Sequence, residues 1–360
     1  MTSDKYLARA LRLLDKTPLL DGHNDLPWVI RNDPTAKGDA AAFGLDQQRN
    51  SGDTDIPRLR AGRVAAQFWA AFVPPKEPQP AGYALQQIAL VRRMNDVYSN
   101  VFLTALRAGD VARAKRMGKI ASFVTIENGA ALEGRLDALD AYYALGVRLM
   151  TLCHTSSIDW CDSSTDAPRV DGLSDFGRQV VARMNNLGMI VDLSHVSDAA
   201  ANQALDISRA PVVFSHSNAR SVCKHPRNLP DDILDRVPGK GAIVMATFVP
   251  GYISPKAQDA PAGSPPQDAA VREKRERGAL GELCDHLDYL KARIGPDCIG
   301  IGSDFFGGAQ GPGLKDVSCF PHIFAELMRR NWPDAHLRKL ASGNFLRVFR
   351  AVEKARIAAK

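Results

Sequence analysis

The stretch LLDGHNDLP, residues 19–27, sets His23 and Asp25 two residues apart directly after a short apolar run. On an extended backbone residues i and i+2 point to the same side, so an imidazole and a carboxylate would aim at one spot. The pattern recurs along the chain. Glu127 lies near the end of KIASFVTIEN, His154 follows VRLMTLC, His195 follows MIVDLS, His216 follows APVVFS, and Asp304 follows CIGIGS. A single histidine or carboxylate in such a place is ordinarily a hydrogen-bonded structural group. Seven are different, because each buried polar group left without a partner costs about 1–3 kcal/mol. Packing cannot require five or more nitrogen and oxygen ligands in one place; a bound cation can. Imidazole and carboxylate without thiolate favour zinc, with manganese and cobalt as alternatives. Three histidines and two carboxylates exceed what one catalytic zinc takes and suit two ions that share a carboxylate. Ions about 3.5–4 Å apart lower the pKa of bound water and clamp the attacked oxygen, so hydrolysis is the natural use.

The seven groups converge only if the runs that carry them are strands of one sheet. Eight runs read as strands: 17–25, 63–73, 119–128, 147–156, 189–197, 210–218, 241–250 and 298–305. They are nearly continuous in apolar character, as strands buried on both faces are. Amphipathic segments lie between them. In LSDFGRQVVARMNNLG (173–188), Ser174 suits an N-cap, Phe176, Val180, Val181, Met184 and Leu187 share a face, and Gly188 suits the position after the last turn. Strands alternating with helices imply a parallel sheet. Eight such units imply an α/β chain folded as a (β/α)8 barrel of the TIM type, with active-site groups at the C-terminal ends of its strands. An open doubly wound sheet is the alternative, and the lack of a GxGxxG opening a first helix counts against it. Residues 1–360 read as one domain with loop excursions at about 29–60 and 252–275, the second either a lid or a plain surface loop. His225, His286, His322 and His336 fall in loops or helices, where solvated or capping roles are expected, and Asp198 in SHVSD reads as a helix cap.

Composition narrows the partners. A chain with 45% hydrophobic and 24% charged residues is globular in type. Its net charge of +6 is dispersed, and the one dense run, VREKRERG (271–278), mixes acids with bases and lacks aromatics. That run reads as a solvated helix face, so no nucleic-acid partner is expected. No run approaches 18 apolar residues, and MTSDKYLARALRLLDKTP lacks the apolar core of a signal peptide, so no membrane partner is expected either. Six cysteines, at 153, 161, 223, 284, 298 and 319, show no CxxC spacing. They read as buried free thiols of a reducing compartment, and the expected location is cytoplasmic.

Taken together, DGHNDLP (21–27), GRVAAQFW (62–69), TIENG (125–129), LGVRLMTLCH (145–154), GLSDFG (172–177), LGMIVDLSHVSD (187–198), FSHSNARSV (214–222), HPRNLPDD (225–232), IGSDF (301–305) and GNFLRVF (343–349) run nearly the whole length of the chain. In their order and spacing the chain resembles the membrane dipeptidase (renal dipeptidase) family of zinc peptidases, soluble bacterial branch. The resemblance implies a (β/α)8 barrel with two Zn2+ ions per chain. It assigns His23 and Asp25 to one ion, His195 and His216 to the other, and Glu127 to both. His154 would bind and polarise the substrate carbonyl, Arg227 would pair with the C-terminal carboxylate of the substrate, and Asp304 would carry a proton to the leaving amine. The implied reaction is hydrolysis of small peptides, namely L,L-dipeptides and also L,D-dipeptides, by a metal-bridging hydroxide. A homodimer is what relatives suggest.

Phe306 departs from the family, which often has a second acid there (SDFDG against SDFFGG), and this bears on side-chain preference. Cys223 matches a disulfide position of secreted relatives, yet no cysteine lies in 224–283 to pair with it. Two rival readings fit less well. One is another binuclear amidohydrolase acting on a cyclic amide, lactone or phosphoester, whose relatives use HxH and a carboxylated lysine where this chain has HND and Glu127. The other is a non-catalytic barrel, against which the intact ligand set and Asp304 count.

Overall fold

A computed structural model describes residues 4–257, 280–308 and 311–357. Within them run nine parallel strands: β1 (Leu19–Asn24), β2 (Val64–Phe72), β3 (Phe102–Thr104), β4 (Ile120–Glu127), β5 (Val147–Thr151), β6 (Ile190–Asp192), β7 (Val213–Phe214), β8 (Ile243–Ala246) and β9 (Ile299–Ile301). Eight of them pair in the order β1-β2-β4-β5-β6-β7-β8-β9. The last returns to the first through Asn24 and Phe305. There the Asp25 N–H donates to the Phe305 carbonyl (2.9 Å) and the Asp304 N–H to the His23 carbonyl (3.2 Å). The result is an eight-stranded parallel barrel of the TIM type, with one strand in each of the eight runs read from the sequence. β3 was not anticipated. It pairs with β4 at Ile120–Ser122, below the point where β5 takes over at Val124, and three residues are too few to show a pattern.

Strand parity sorts the side chains into two layers. On β2, β4 and β8 the residues Ala66, Phe68, Ala121, Phe123, Ile243 and Met245 belong to an inner cluster, and the alternate residues pack outward against helices. Phe345, Phe349 and Val352 of the C-terminal helix Asn344–Ala355 complete that inner cluster. Phe68 stacks on Phe123 with ring centroids 4.5 Å apart, and Phe345 meets Phe68 edge-on at 5.0 Å. Burying each such ring contributes about 1.5–3 kcal/mol. The N-terminal end of the barrel is therefore a packed apolar plug, and polar groups collect at the other end.

Local signals behave largely as expected. The helix Asp175–Leu187 is capped by Ser174, whose side chain accepts from the Gly177 N–H, and it ends at Gly188 in the left-handed conformation. The helix Asp198–Ile207 is capped one residue earlier than expected: Ser197 accepts from the Ala200 N–H, and Asp198 lies in the first turn, paired with Arg220 (2.6 and 2.8 Å). The 29–60 excursion holds the helices Ala40–Phe43 and Ile56–Ala61 and is tied to the end of β1 by Asn24 Nδ2 donating to Thr54 Oγ1 (2.9 Å). The second excursion lies outside the described residues beyond 257, as does the run 271–278. His286 is a correction: it is fully buried, accepting from the Ala219 N–H at Nδ1 (3.3 Å) with Nε2 3.2 Å from the Ile253 carbonyl. All six cysteines are buried, and no disulfide forms among the described residues. Among the described residues no helix is long and apolar enough to cross a membrane.

Candidate active site

Glu127 is the last residue of β4 and shares the inward parity of Ala121 and Phe123. Imidazoles surround its carboxylate. His195 Nε2 lies 3.1 Å from Oε1, His216 Nε2 3.5 Å and His154 Nε2 3.7 Å, while His23 Nε2 lies 3.4 Å from Oε2. His23 Nε2 is also 3.4 Å from Asp25 Oδ2. Asp304 joins His23 and Asp25 in a third close group. All seven candidate groups thus meet at the C-terminal end of the barrel, each supplied by a strand end or the turn after it. The reason given for His23 and Asp25 needs correction. Asp25 lies off the strand with φ −91° and ψ 18°, at the entrance to the helix Leu26–Asn32, so a turn and not an extended backbone brings the pair together.

Arg227 joins the cluster from the loop after β7. It is 2% exposed and its Nη2 donates to the His216 carbonyl (3.1 Å), while its Nε has no hydrogen-bond partner among the described residues. Spacing alone gave no sign of it; HPRN carried the signal only through the family resemblance. Phe306 sits at φ 66° with its N–H on Asp53 Oδ2 (3.0 Å) and its ring against Gly52.

The electrostatics divide the site. Burial works against a charged His23, yet Glu127 and Asp25 outweigh it and raise its pKa well above the ordinary imidazole value. Burial, reinforced by Asp25 and Glu127, raises the Asp304 carboxyl well above its usual range despite His23. The other imidazoles go the opposite way. Burial and then Arg227 push His154 down to about 3, and burial above all keeps His195 and His216 well below the normal range.

Those features fit cations. Among the described residues, both ring nitrogens of His23, Oδ1 of Asp25 and Nδ1 of His195 are buried without a hydrogen-bond partner, a state that costs free energy unless something binds there. His195 and His216 turn their Nε2 atoms toward each other at 2.8 Å while both rings are held neutral. Neutral imidazoles and three buried carboxylates, Asp25, Glu127 and Asp304, form a nitrogen and oxygen donor set without thiolate, which suits zinc. The backbone is strained at the same place: His195 has φ 73°, Asp304 67° and Asn128, beside Glu127, 96°.

Several residues at the site escaped the sequence reading. A Cβ on Gly307 would collide with Asp304 Oδ1 and lie 2.6 Å from Asp25 Oδ2, so only glycine leaves those carboxylates where they are. Asp21 is fully buried and accepts from Ser303 N (2.7 Å), Ser303 Oγ (2.6 Å) and Gln67 Nε2 (3.0 Å), which fixes the backbone that carries Asp304. Asp192 plays a matching part beneath His216. An acid inside an apolar run, as in LLDG and IVDL, was the available signal for both.

The family model "Membrane dipeptidase (Peptidase family M19)" matches residues 7–360. Dipeptidase 3 of Mus musculus is 38% identical over 356 residues, which span 97% of this chain and 67% of that protein. The crystal structure of the probable dipeptidase PvdM from Pseudomonas aeruginosa aligns with a TM-score of 0.85 at 27% identity, covering 98% of this chain and 99% of that one. A dipeptidase AC described as a metallo peptidase of family M19 aligns with a TM-score of 0.81 at 25% identity, covering 93% and 98%. This chain belongs to the membrane dipeptidase family, peptidase family M19, and is a metallo-dipeptidase.

Proposed function

We propose that the chain is a zinc-dependent dipeptidase using two ions, held by His23 and Asp25 on one side, by His195 and His216 on the other, and by Glu127 between them. The observation that carries this reading is the set of four imidazoles around one buried carboxylate, with nitrogens 3.1 to 3.7 Å from its oxygens. Zinc ions bound in pairs lower the pKa of water and polarise a carbonyl, so they supply the nucleophile and part of the electrophilic assistance. His154, kept neutral, offers one ring N–H toward the oxygen of the scissile carbonyl as charge develops there. Asp304 has a raised proton affinity, which suits taking a proton in one step and returning it to the leaving amine in the next. Arg227 has a buried, unpartnered Nε that a substrate carboxylate would satisfy, and a planar guanidinium holds carboxylates in fixed geometry. That demand selects substrates with a free C-terminal carboxylate, L,L- and L,D-dipeptides among them. The site residues and loops all belong to one catalytic domain spanning the chain in this reading.

The test is hydrolysis by the zinc-loaded chain of a panel of L,L- and L,D-dipeptides beside the same dipeptides carrying a C-terminal amide. Cleavage of the free acids with marked loss on the amides is expected. A chain with two zinc ions that cleaves no dipeptide, or that cleaves amides equally well, would overturn the assignment.

A further inference from the structure

Asp192 ends β6, is wholly buried, and is not one of the convergent side chains. Four donors fill its carboxylate. Oδ1 accepts from the backbone N–H groups of Ser194 (3.1 Å) and Ser215 (2.9 Å). Oδ2 accepts from the hydroxyls of Thr151 and Ser215, both at 2.6 Å. Ser215 Oγ in turn lies 2.8 Å from His216 Nδ1. A hydroxyl has one hydrogen to give, and short bonds to a charged acceptor are the strong kind. The competing acceptor, Ser194 Oγ, is 3.4 Å away, and choosing it would leave Asp192 one donor short. With its hydrogen committed to Asp192, Ser215 meets His216 with a lone pair. The ring hydrogen of His216 then sits on Nδ1, and Nε2, the atom facing Glu127 and His195, is bare.

We infer that Asp192, acting through Ser215, is a positioning residue that locks His216 in the Nδ1-protonated tautomer and so presets Nε2 as an electron-pair donor to a cation. The inference rests on the metal reading of the site. It also makes the histidine pair unequal. His195 Nδ1 has no hydrogen-bond partner among the described residues, whereas its Nε2 faces two acceptors, the bare His216 Nε2 at 2.8 Å and Glu127 Oε1 at 3.1 Å, so its ring hydrogen sits on Nε2 and must leave that atom before a cation can bind there. His216 is ready for a cation before one arrives, whereas His195 adjusts to it.

The experiment reads imidazole protonation by two-bond proton–nitrogen correlation in the 15N-labelled full chain, stripped of zinc and reloaded, with zinc affinity measured by chelator competition. The wild type should show His216 protonated at Nδ1 in both states. In Asp192→Asn the amide can donate to Ser215 and turn its hydroxyl onto Nδ1. The ring hydrogen should then move to Nε2, and zinc affinity should fall about 10–100-fold, the usual loss when a group supporting a ligand is removed. Thr151→Val deletes an equally short bond to the same carboxylate without touching the relay, and it should bind zinc like the wild type. A wild-type His216 protonated at Nε2 in the stripped chain, or wild-type zinc affinity in Asp192→Asn, would overturn the inference. Should Asp192→Asn not fold, the tautomer of the wild type decides alone. Failure of the wild type to bind zinc would strike down the metal reading, while the tautomer result would still judge the relay by itself.

Discussion

Where β9 returns to β1 the site is lined by carboxylates, and where β6 meets β7 it is lined by imidazoles. Both halves stand on the same support. A buried aspartate, Asp21 or Asp192, accepts both the N–H and the hydroxyl of a serine, Ser303 or Ser215, that directly precedes a site residue. The serines differ in what they do next. Ser303 Oγ also lies 3.1 Å from the His23 carbonyl and so organises backbone, whereas Ser215 Oγ reaches an imidazole and so organises a ring. The charges differ as well. His23 and Asp304 are pushed toward holding protons, and His154, His195 and His216 toward releasing them. One support thus underlies two electrostatic environments: a carboxylate side that favours bound protons and an imidazole side that favours neutral rings.

Glu127 touches both halves, so its loss should cost most. Glu127→Gln should lower zinc content and cut turnover by about a thousandfold or more, roughly 4 kcal/mol of barrier; metal analysis beside a dipeptide assay checks both. Asp304→Asn should separate the halves. Turnover should drop about 10²–10⁴-fold with zinc content unchanged, and loss of zinc in that variant would show that Asp304 is a ligand and not a proton carrier. Gly307→Ala pushes a methyl group between Asp304 and Asp25, and misplacing groups by about 1 Å can cost 10²-fold, so a loss of that order is expected. Zinc bound by the imidazole half should survive it; equal loss from both halves would mean the two are not separable.

The fourth effect, on stability and not on turnover, lies behind the imidazole half, at His286. Burial lowers its pKa from 6.5 to about 4, so the unfolded chain takes up the proton first as the medium acidifies. Its contribution is therefore whole above pH 6.5 and is lost as the pH falls toward 4, about 3 kcal/mol in all. In urea unfolding of the zinc-free chain, the stability gap between wild type and His286→Gln should narrow from pH 7.5 to 4.5. A gap that stays constant would remove this role.

Much of the frame was legible because strands buried on both faces need continuous apolar runs, and each of the eight runs did contain a strand. The convergence of the candidate groups was legible because His23, Glu127, His154, His195, His216 and Asp304 all follow or end such runs. Harder cases had weaker local signals. Arg227 looks like any loop arginine until the loop folds over His216. Asp25 is predicted for a reason the turn at the end of β1 does not share, and His286 reads as solvated or capping because nothing local distinguishes a buried helix histidine.

By itself the sequence determined which side chains are present and that they lie at strand ends, since apolar periodicity and local capping act over a few residues. Tertiary structure alone decided the seam between β9 and β1, the hydrogen bonds from Ser303 to Asp21 across 282 positions, and the direction of the hydrogen on His216. Those depend on which groups are brought within about 3 Å of each other, and a hydrogen bond has no reach beyond that distance from which a linear pattern could have announced it.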